Sequence, residues 1–195
     1  MIFKSICVFC GSSFGSRPIY LETAQNVGRI LAERGIQLVY GGGCVGLMGA
    51  MADTALQHGG RVIGVIPESL VAKEVAHKGL PDLRVVESMH ERKALMAGLS
   101  DAFIALPGGF GTYEEFCEVL TWGQLGLHRK PFGLLNVAGF YDPLLALFDH
   151  AVAEEFIRPV HRDLVTVETD FEKLLERLAN FQPPAIAKWI ERSET

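Results

Sequence analysis

The 195-residue sequence lacks any apolar run approaching the roughly 18–20 residues that a membrane-spanning helix requires, which argues against a membrane protein. Cysteine is scarce. Cys7, Cys10, Cys44 and Cys117 are too few for a disulfide framework in a chain this long, which favours a reducing cytoplasm. Positive charge is not in excess either: 18 Lys and Arg against 23 Asp and Glu give a net charge of -5, and no broad footprint for a nucleic acid polymer. There is no internal repeat, low-complexity stretch or linker, so residues 1–195 read as a single domain. No Cys/His set stands at zinc spacing, and no Ser-His-Asp or Cys-His arrangement assembles. His58, His77, His128, His150 and His161 are scattered and read as ordinary surface or helix-end residues, and His90 has no evident carboxylate to orient it. Cys7 and Cys10 form a C-x-x-C, but a redox pair belongs at a helix start and this one lies in a strand, so both read as plain thiols. The apolar residues 1–10 have no charged leader and no small-residue cleavage site, and read as a strand and not a signal peptide.

What is present is a regular alternation. Continuous apolar, β-branched runs lie at 6–9, 37–40, 61–66, 83–86, 102–106, 132–136 and 164–167, as expected for parallel strands buried on both faces. Helical stretches lie between them at 18–34, 47–58, 89–100, 112–125, 143–155 and 171–180. Pro18 suits a first helical position, and Gly35 and Gly59-Gly60 suit helix stops. This pattern predicts a doubly wound, mainly parallel α/β sheet of Rossmann-like type, with helices on both faces. Pro183-Pro184 sets off a short segment, 185–195, as a docked helix or a tail.

In such a sheet, ligands bind along the edge formed by the carboxyl ends of the strands. The richest feature there is Pro107-Gly108-Gly109-Phe110-Gly111-Thr112-Tyr113-Glu114-Glu115, which follows an apolar run and opens a helix. Bare glycine N–H groups at a helix N-terminus suit a phosphate. A carboxylate beside them does not, so Glu115 facing the site points to chemistry. Thr112 and Glu115 also fit a capping box, with Thr112 as the cap, and the two readings compete. Glu114 is expected to face solvent or a helix neighbour. Arg92 and Lys93 sit at the start of a helix, where cations oppose the dipole unless an anion is near, and Arg92 offers a planar donor fork. Gly41-Gly42-Gly43-Cys44-Val45-Gly46 satisfies G-x-G-x-x-G, but after the second strand and not the first, and Glu68 beyond it follows a proline, so full dinucleotide binding is disfavoured. Cys10-Gly11-Ser12-Ser13 reaches the same edge, as a ligand contact or as a cap for the next helix.

Pro107-Gly108-Gly109-Phe110-Gly111-Thr112 with Glu115 resembles the P-G-G-x-G-T-x-x-E signature of the Lonely Guy (LOG) family. Met89-His90-Glu91-Arg92-Lys93 resembles its M-H-x-R-K element, and Gly41 to Gly49 its glycine block, with likeness running from Cys7 to about Tyr141. The resemblance implies a phosphoribohydrolase that splits cytokinin riboside 5′-monophosphates, and often AMP, into free base and ribose 5-phosphate without a metal or other cofactor. It implies Arg92 and Glu115 as the catalytic pair, with Arg92 keeping Glu115 ionised. Substrate contacts would come from Gly108, Gly109, Phe110, Gly111, Thr112, Tyr113 and Glu114, with further ones from Glu74, Lys93 and Thr121 and from Ser12, Ser13, Gly42 and Gly43. A homodimer is implied too, for which Phe116, Val119, Leu120, Trp122, Leu125 and Leu127 offer apolar surface. Glycosidic cleavage passes through an oxocarbenium-like state that Glu115 can stabilise, attack, or meet with an activated water. Glu74 and Glu91 are the remaining candidates for a leaving-group acid. Two rivals stand beside this reading: a non-catalytic nucleotide or molybdenum-cofactor carrier of the same fold, and a lysine decarboxylase. The second needs a Schiff-base lysine for pyridoxal phosphate, a role that suits Lys93 poorly.

Overall fold

The computed structural model describes residues 3–71 and 76–184. Glu74 and the segment 185–195 therefore lie outside the described residues. Seven strands form one sheet: β1 (Ser5–Phe9), β2 (Gln37–Tyr40), β3 (Val62–Pro67), β4 (Asp82–Val86), β5 (Ala102–Ala105), β6 (Phe132–Leu135) and β7 (Val165–Glu168). All pairings are parallel, in the order β4-β3-β2-β1-β5-β6-β7. The winding reverses between β1 and β5, whose registers run from Ile6 opposite Ala102 to Phe9 opposite Ala105. The crevice at the carboxyl end of that pair is the topological switch point, where this architecture places ligands.

The connecting helices are α1 (Pro18–Glu33), α2 (Gly46–Gln57), α3 (Glu68–Val71), α4 (Met89–Leu99), α5 (Phe110–Gln124), α6 (Asp142–Ala153), α7 (Pro159–Arg162) and α8 (Phe171–Ala179). The six long ones match the helical stretches in the sequence to within about two residues at each end. The single-turn helices α3 and α7, and a 3₁₀ turn at Val137–Gly139, carry too little periodicity to be read from sequence.

Alternate strand residues face opposite cores. Ile6, Val8 and Cys10 join α1, α2 and α8 on one side. Cys7 and Phe9 join α4, α5 and α6 on the other, with the stacked Phe103 and Phe132 rings. The C-x-x-C pair is thus split across the sheet. Each thiol is buried and free, and burial pushes both well above the ordinary thiol range. α1 and α2 touch backbone to backbone, because a Cβ on Gly28 would collide with the Met51 carbonyl.

Two of the histidines expected at the surface are not there. His77 is buried and its Nε2 lies 2.9 Å from Asp53 Oδ1. His128 is tilted against Phe103 and Phe132, and burial lowers its pKa.

Candidate active site

Three loops meet at the switch point, and their backbones are knitted together. The Gly11 N–H donates to the Pro107 carbonyl at 3.0 Å, and the Leu47 N–H at the start of α2 donates to the Gly11 carbonyl at 3.1 Å. Gly46 has φ +58, and a Cβ there would overlap the backbone of Ser12 and Ser13. The G-x-G-x-x-G block therefore holds the protein's own Gly11–Ser13 loop where a dinucleotide fold would hold pyrophosphate. Ser12 and Ser13 are themselves exposed.

The rest of the block seats Arg92. A Cβ on Gly41 would overlap the Arg92 Nη2, so only glycine leaves room for the guanidinium. Gly42, with φ +71, is wedged against Ile66 and Leu83, and Gly43 bridges to Ala76. Gly42 and Gly43 thus have packing duties. In the sequence, Gly41 is marked only by its place at the end of a buried strand, as the first of three successive glycines.

Arg92 lies in the first turns of α4, whose start is fixed by Ser88 accepting from the Glu91 N–H at 3.1 Å. The Glu91 carboxylate in turn accepts from the Glu87 N–H at 2.9 Å. Ser88 and Glu91 stand at capping-box spacing in the sequence. Glu91 is exposed and serves the start of the helix. Arg92 Nε donates to the Val65 carbonyl of β3 at 3.0 Å, and Nη1 meets Glu115 Oε1 at 2.8 Å. Both side chains of this pair are 9% exposed.

Glu115 is not the third residue of a capping box. α5 begins at Phe110 with Gly109 as its cap, two residues before the expected start, because the glycines themselves accept helical geometry. Thr112 lies inside the first turn, buried, with its side chain pressed where a Gly108 Cβ would be. Glu115 is one turn further in and faces Arg92. Arg92 works to keep Glu115 ionised, as expected, against the desolvation that burial imposes. Burial raises the Glu115 pKa, and Arg92 offsets that only in part, so the carboxyl stays above its ordinary value.

The turn that precedes Glu115 is open. A Cβ on Gly109 or Gly111 would touch nothing within 4 Å, and Phe110 between them is 91% exposed. Neither glycine has a positive φ. The fold does not require glycine at these two places, where it costs conformational entropy.

Lys93 turns away from this turn. Its buried Nζ sits between Glu114 and Glu118, 3.0 Å from Glu118 Oε2. Burial works to lower the Lys93 pKa, but hydrogen bonds and charge from the two carboxylates outweigh it and raise it. Glu118 escaped notice in the sequence; its signal was its position four residues after Glu114 on the same helical face. Glu114 thus meets a helix neighbour, as expected. Thr121 is exposed on the same face and donates to the Cys117 carbonyl at 2.7 Å. The cations that oppose the α4 dipole are therefore balanced by protein carboxylates, Arg92 by Glu115 and Lys93 by Glu114 and Glu118.

The chain is similar to known proteins. Residues 48–178 match a family model described as "Possible lysine decarboxylase". The cytokinin riboside 5′-monophosphate phosphoribohydrolase LOG7 of Arabidopsis thaliana is 52% identical over 93% of this chain and 83% of its own length. The cytokinin riboside 5′-monophosphate phosphoribohydrolase LOG of Oryza sativa subsp. japonica is 50% identical over 93% of this chain and 75% of its own. Among solved structures, the molybdenum cofactor binding protein of Rippkaea orientalis superposes with a TM-score of 0.68 at 24% identity, covering 90% of this chain and 95% of that one. The molybdenum cofactor carrier protein of Chlamydomonas reinhardtii gives 0.68 at 23%, covering 91% and 98%. Those two likenesses establish the fold alone. The sequence matches establish the family: the chain belongs to the Lonely Guy (LOG) family.

Proposed function

We propose that this protein is a phosphoribohydrolase that cleaves the N-glycosidic bond of cytokinin riboside 5′-monophosphates, of AMP or of both, releasing free base and ribose 5-phosphate. The observation that carries this reading is the buried Arg92–Glu115 pair beside the open Gly109–Gly111 turn. The turn and the N-terminus of α5 suit the 5′-phosphate. Glu115 lies far enough into the helix to face the sugar rather than the phosphate. In the reaction the bond from C1′ to the base nitrogen breaks with its electrons going to the base. A water oxygen bonds to C1′, the water's proton passes to Glu115 and from there to solvent, and the departing base takes up one proton from solvent. Positive charge that builds on the sugar ring is stabilised by the Glu115 carboxylate, which also accepts the proton of the attacking water. A carboxylate raised by burial is a stronger base than a solvated one. Arg92 fixes its orientation through the bond at 2.8 Å.

Relatives named for this activity, about half identical over most of their length, support the reading. A decarboxylase reading finds no support in Lys93, because a Schiff-base lysine must lose its proton and the carboxylates of Glu114 and Glu118 hold this one on. We further propose a homodimer located in the cytoplasm. Chromatographic detection of base released from AMP and from isopentenyladenosine 5′-monophosphate tests the activity. Release from at least one is expected, together with loss of release in Glu115→Gln. No release from either would sink the assignment, and equal release by the variant would sink the role given to Glu115.

A further inference from the structure

The loop between β6 and α6 is strained. Ala138 has φ 52, a left-handed conformation that is unfavourable for a residue with a Cβ. Gly139 follows with φ 76, and a Cβ there would press to 2.7 Å of Asp142 Oδ2. Such strain persists where the surroundings over-determine it. Here the determinant is Asn136 at the carboxyl end of β6. Its N–H donates to the Glu168 carbonyl at 2.8 Å, its Nδ2 donates to Asp142 Oδ1 at 2.7 Å, and its Oδ1 accepts from the Tyr141 N–H at 2.7 Å.

The strained loop delivers Tyr141 to the base of the phosphate turn. The phenol is 1% exposed and donates to the Leu106 carbonyl at 2.6 Å. Leu106 is where β5 gives way to the turn: its N–H donates to the Phe9 carbonyl at 2.9 Å, and the next carbonyl, of Pro107, accepts from Gly11. The Tyr141 ring also meets Tyr113 of α5 edge to face at 6.5 Å. One side chain thus touches both limbs of the turn, strand end and helix start. Burial pushes the phenol's pKa up, so it remains a donor at every working pH.

We propose that Tyr141, aimed by Asn136, is a positioning residue for the phosphate turn: its hydroxyl fixes the end of β5 and so the aim of the Gly109–Gly111 N–H groups. The inference rests on the hydrolase reading for its ligand, ribose 5-phosphate, but not on turnover. Binding of ribose 5-phosphate and of adenine is measured by calorimetry on the full chain, with melting temperature alongside. Tyr141→Phe keeps the ring and removes the donor. Ribose 5-phosphate affinity is expected to fall about tenfold, the usual scale for a lost buried hydrogen bond with its acceptor left behind, while adenine affinity stays within twofold. Asn136→Ala acts on the other side of the anchor and should shift the same constant selectively. Unchanged ribose 5-phosphate affinity in whichever variant folds, an equal loss for both ligands, or no ribose 5-phosphate binding by the wild type would each overturn the proposal. A wild type that binds ribose 5-phosphate without releasing base from any nucleotide would remove the hydrolase reading and leave the anchor to be judged on the affinity ratio.

Discussion

Glu115 carries its charge where burial disfavours it, and Arg92 stands opposite to make that bearable. The sign of the resulting pH dependence follows. The folded state holds the Glu115 proton more tightly than the unfolded chain does. This group's contribution to stability is therefore greatest below the ordinary glutamate pKa and falls as pH rises through the raised one. Activity runs the opposite way, since the carboxylate form does the work. The acid limb of kcat/KM should lie above the ordinary glutamate value of about 4.3. A limb at or below that value would contradict the burial argument. Glu115→Gln is the informative substitution, because glutamine still offers Arg92 an acceptor, whereas alanine would strand a buried cation at about 3–5 kcal/mol. It should cut kcat by about a hundredfold or more while the melting temperature holds. Gly111→Ala separates fold from function in the same way. A methyl group there meets nothing, so stability should rise by up to about 1 kcal/mol. Ribose 5-phosphate affinity should nonetheless drop about tenfold, a loss of about 1.4 kcal/mol. Unchanged affinity would mean that the turn does not hold the phosphate.

At the scale of the elements, the constraint is how closely backbones approach. Gly28 lets α1 lie against α2 with the Met51 carbonyl where a side chain would begin. Gly28→Ala must push the helices apart, and overpacking of this kind costs about 1–3 kcal/mol. Chemical denaturation should show a lower midpoint with catalysis per folded molecule unchanged, and an unshifted midpoint would mean that the helices slide freely. The strands and long helices were legible because each turns a continuous or periodic apolar face toward the core. The start of α5 was misplaced for a physical reason: side-chain capping is a sequence pattern, whereas Gly109 caps with its backbone alone, and spacing cannot report that. The capping pair at Ser88 and Glu91 was equally present in the sequence, yet the M-H-x-R-K element over the same residues drew the reading toward ligand chemistry. Arg92 and Glu115 were found as residue types at the right edge of the sheet. Their mutual bond, the seat at Gly41 and the capture of Lys93 by Glu118 depend on where α4 and α5 cross, which pairwise spacing does not encode.

At the scale of the whole molecule, one face remains unfinished. Phe116 and Val119, expected to supply intersubunit surface, are buried within the chain itself, because they lie on the inward side of α5 against Phe103 and Phe132. Leu120 and Trp122 are half-buried, while Leu125 is exposed and Leu127 is 71% exposed. Beside them α6 runs Asp142–Ala153 through Leu144, Leu145, Leu147 and Phe148 without a single buried residue, and Phe156 after it is 87% exposed. Leu144, Leu145 and Phe148 are only half-buried against the sheet and Leu147 is 58% exposed, so this side of the molecule keeps apolar surface of the kind at which interfaces form. If that partner is a second copy, the wild type should elute and scatter light at twice the 21.4 kDa chain mass. The double variant Leu127→Asp with Leu147→Asp places two charges on that face and should give monomers of unchanged fold, because both side chains already stand in solvent within one chain. A monomeric wild type would remove the homodimer. A double variant that stays dimeric would move the interface to another face of the molecule.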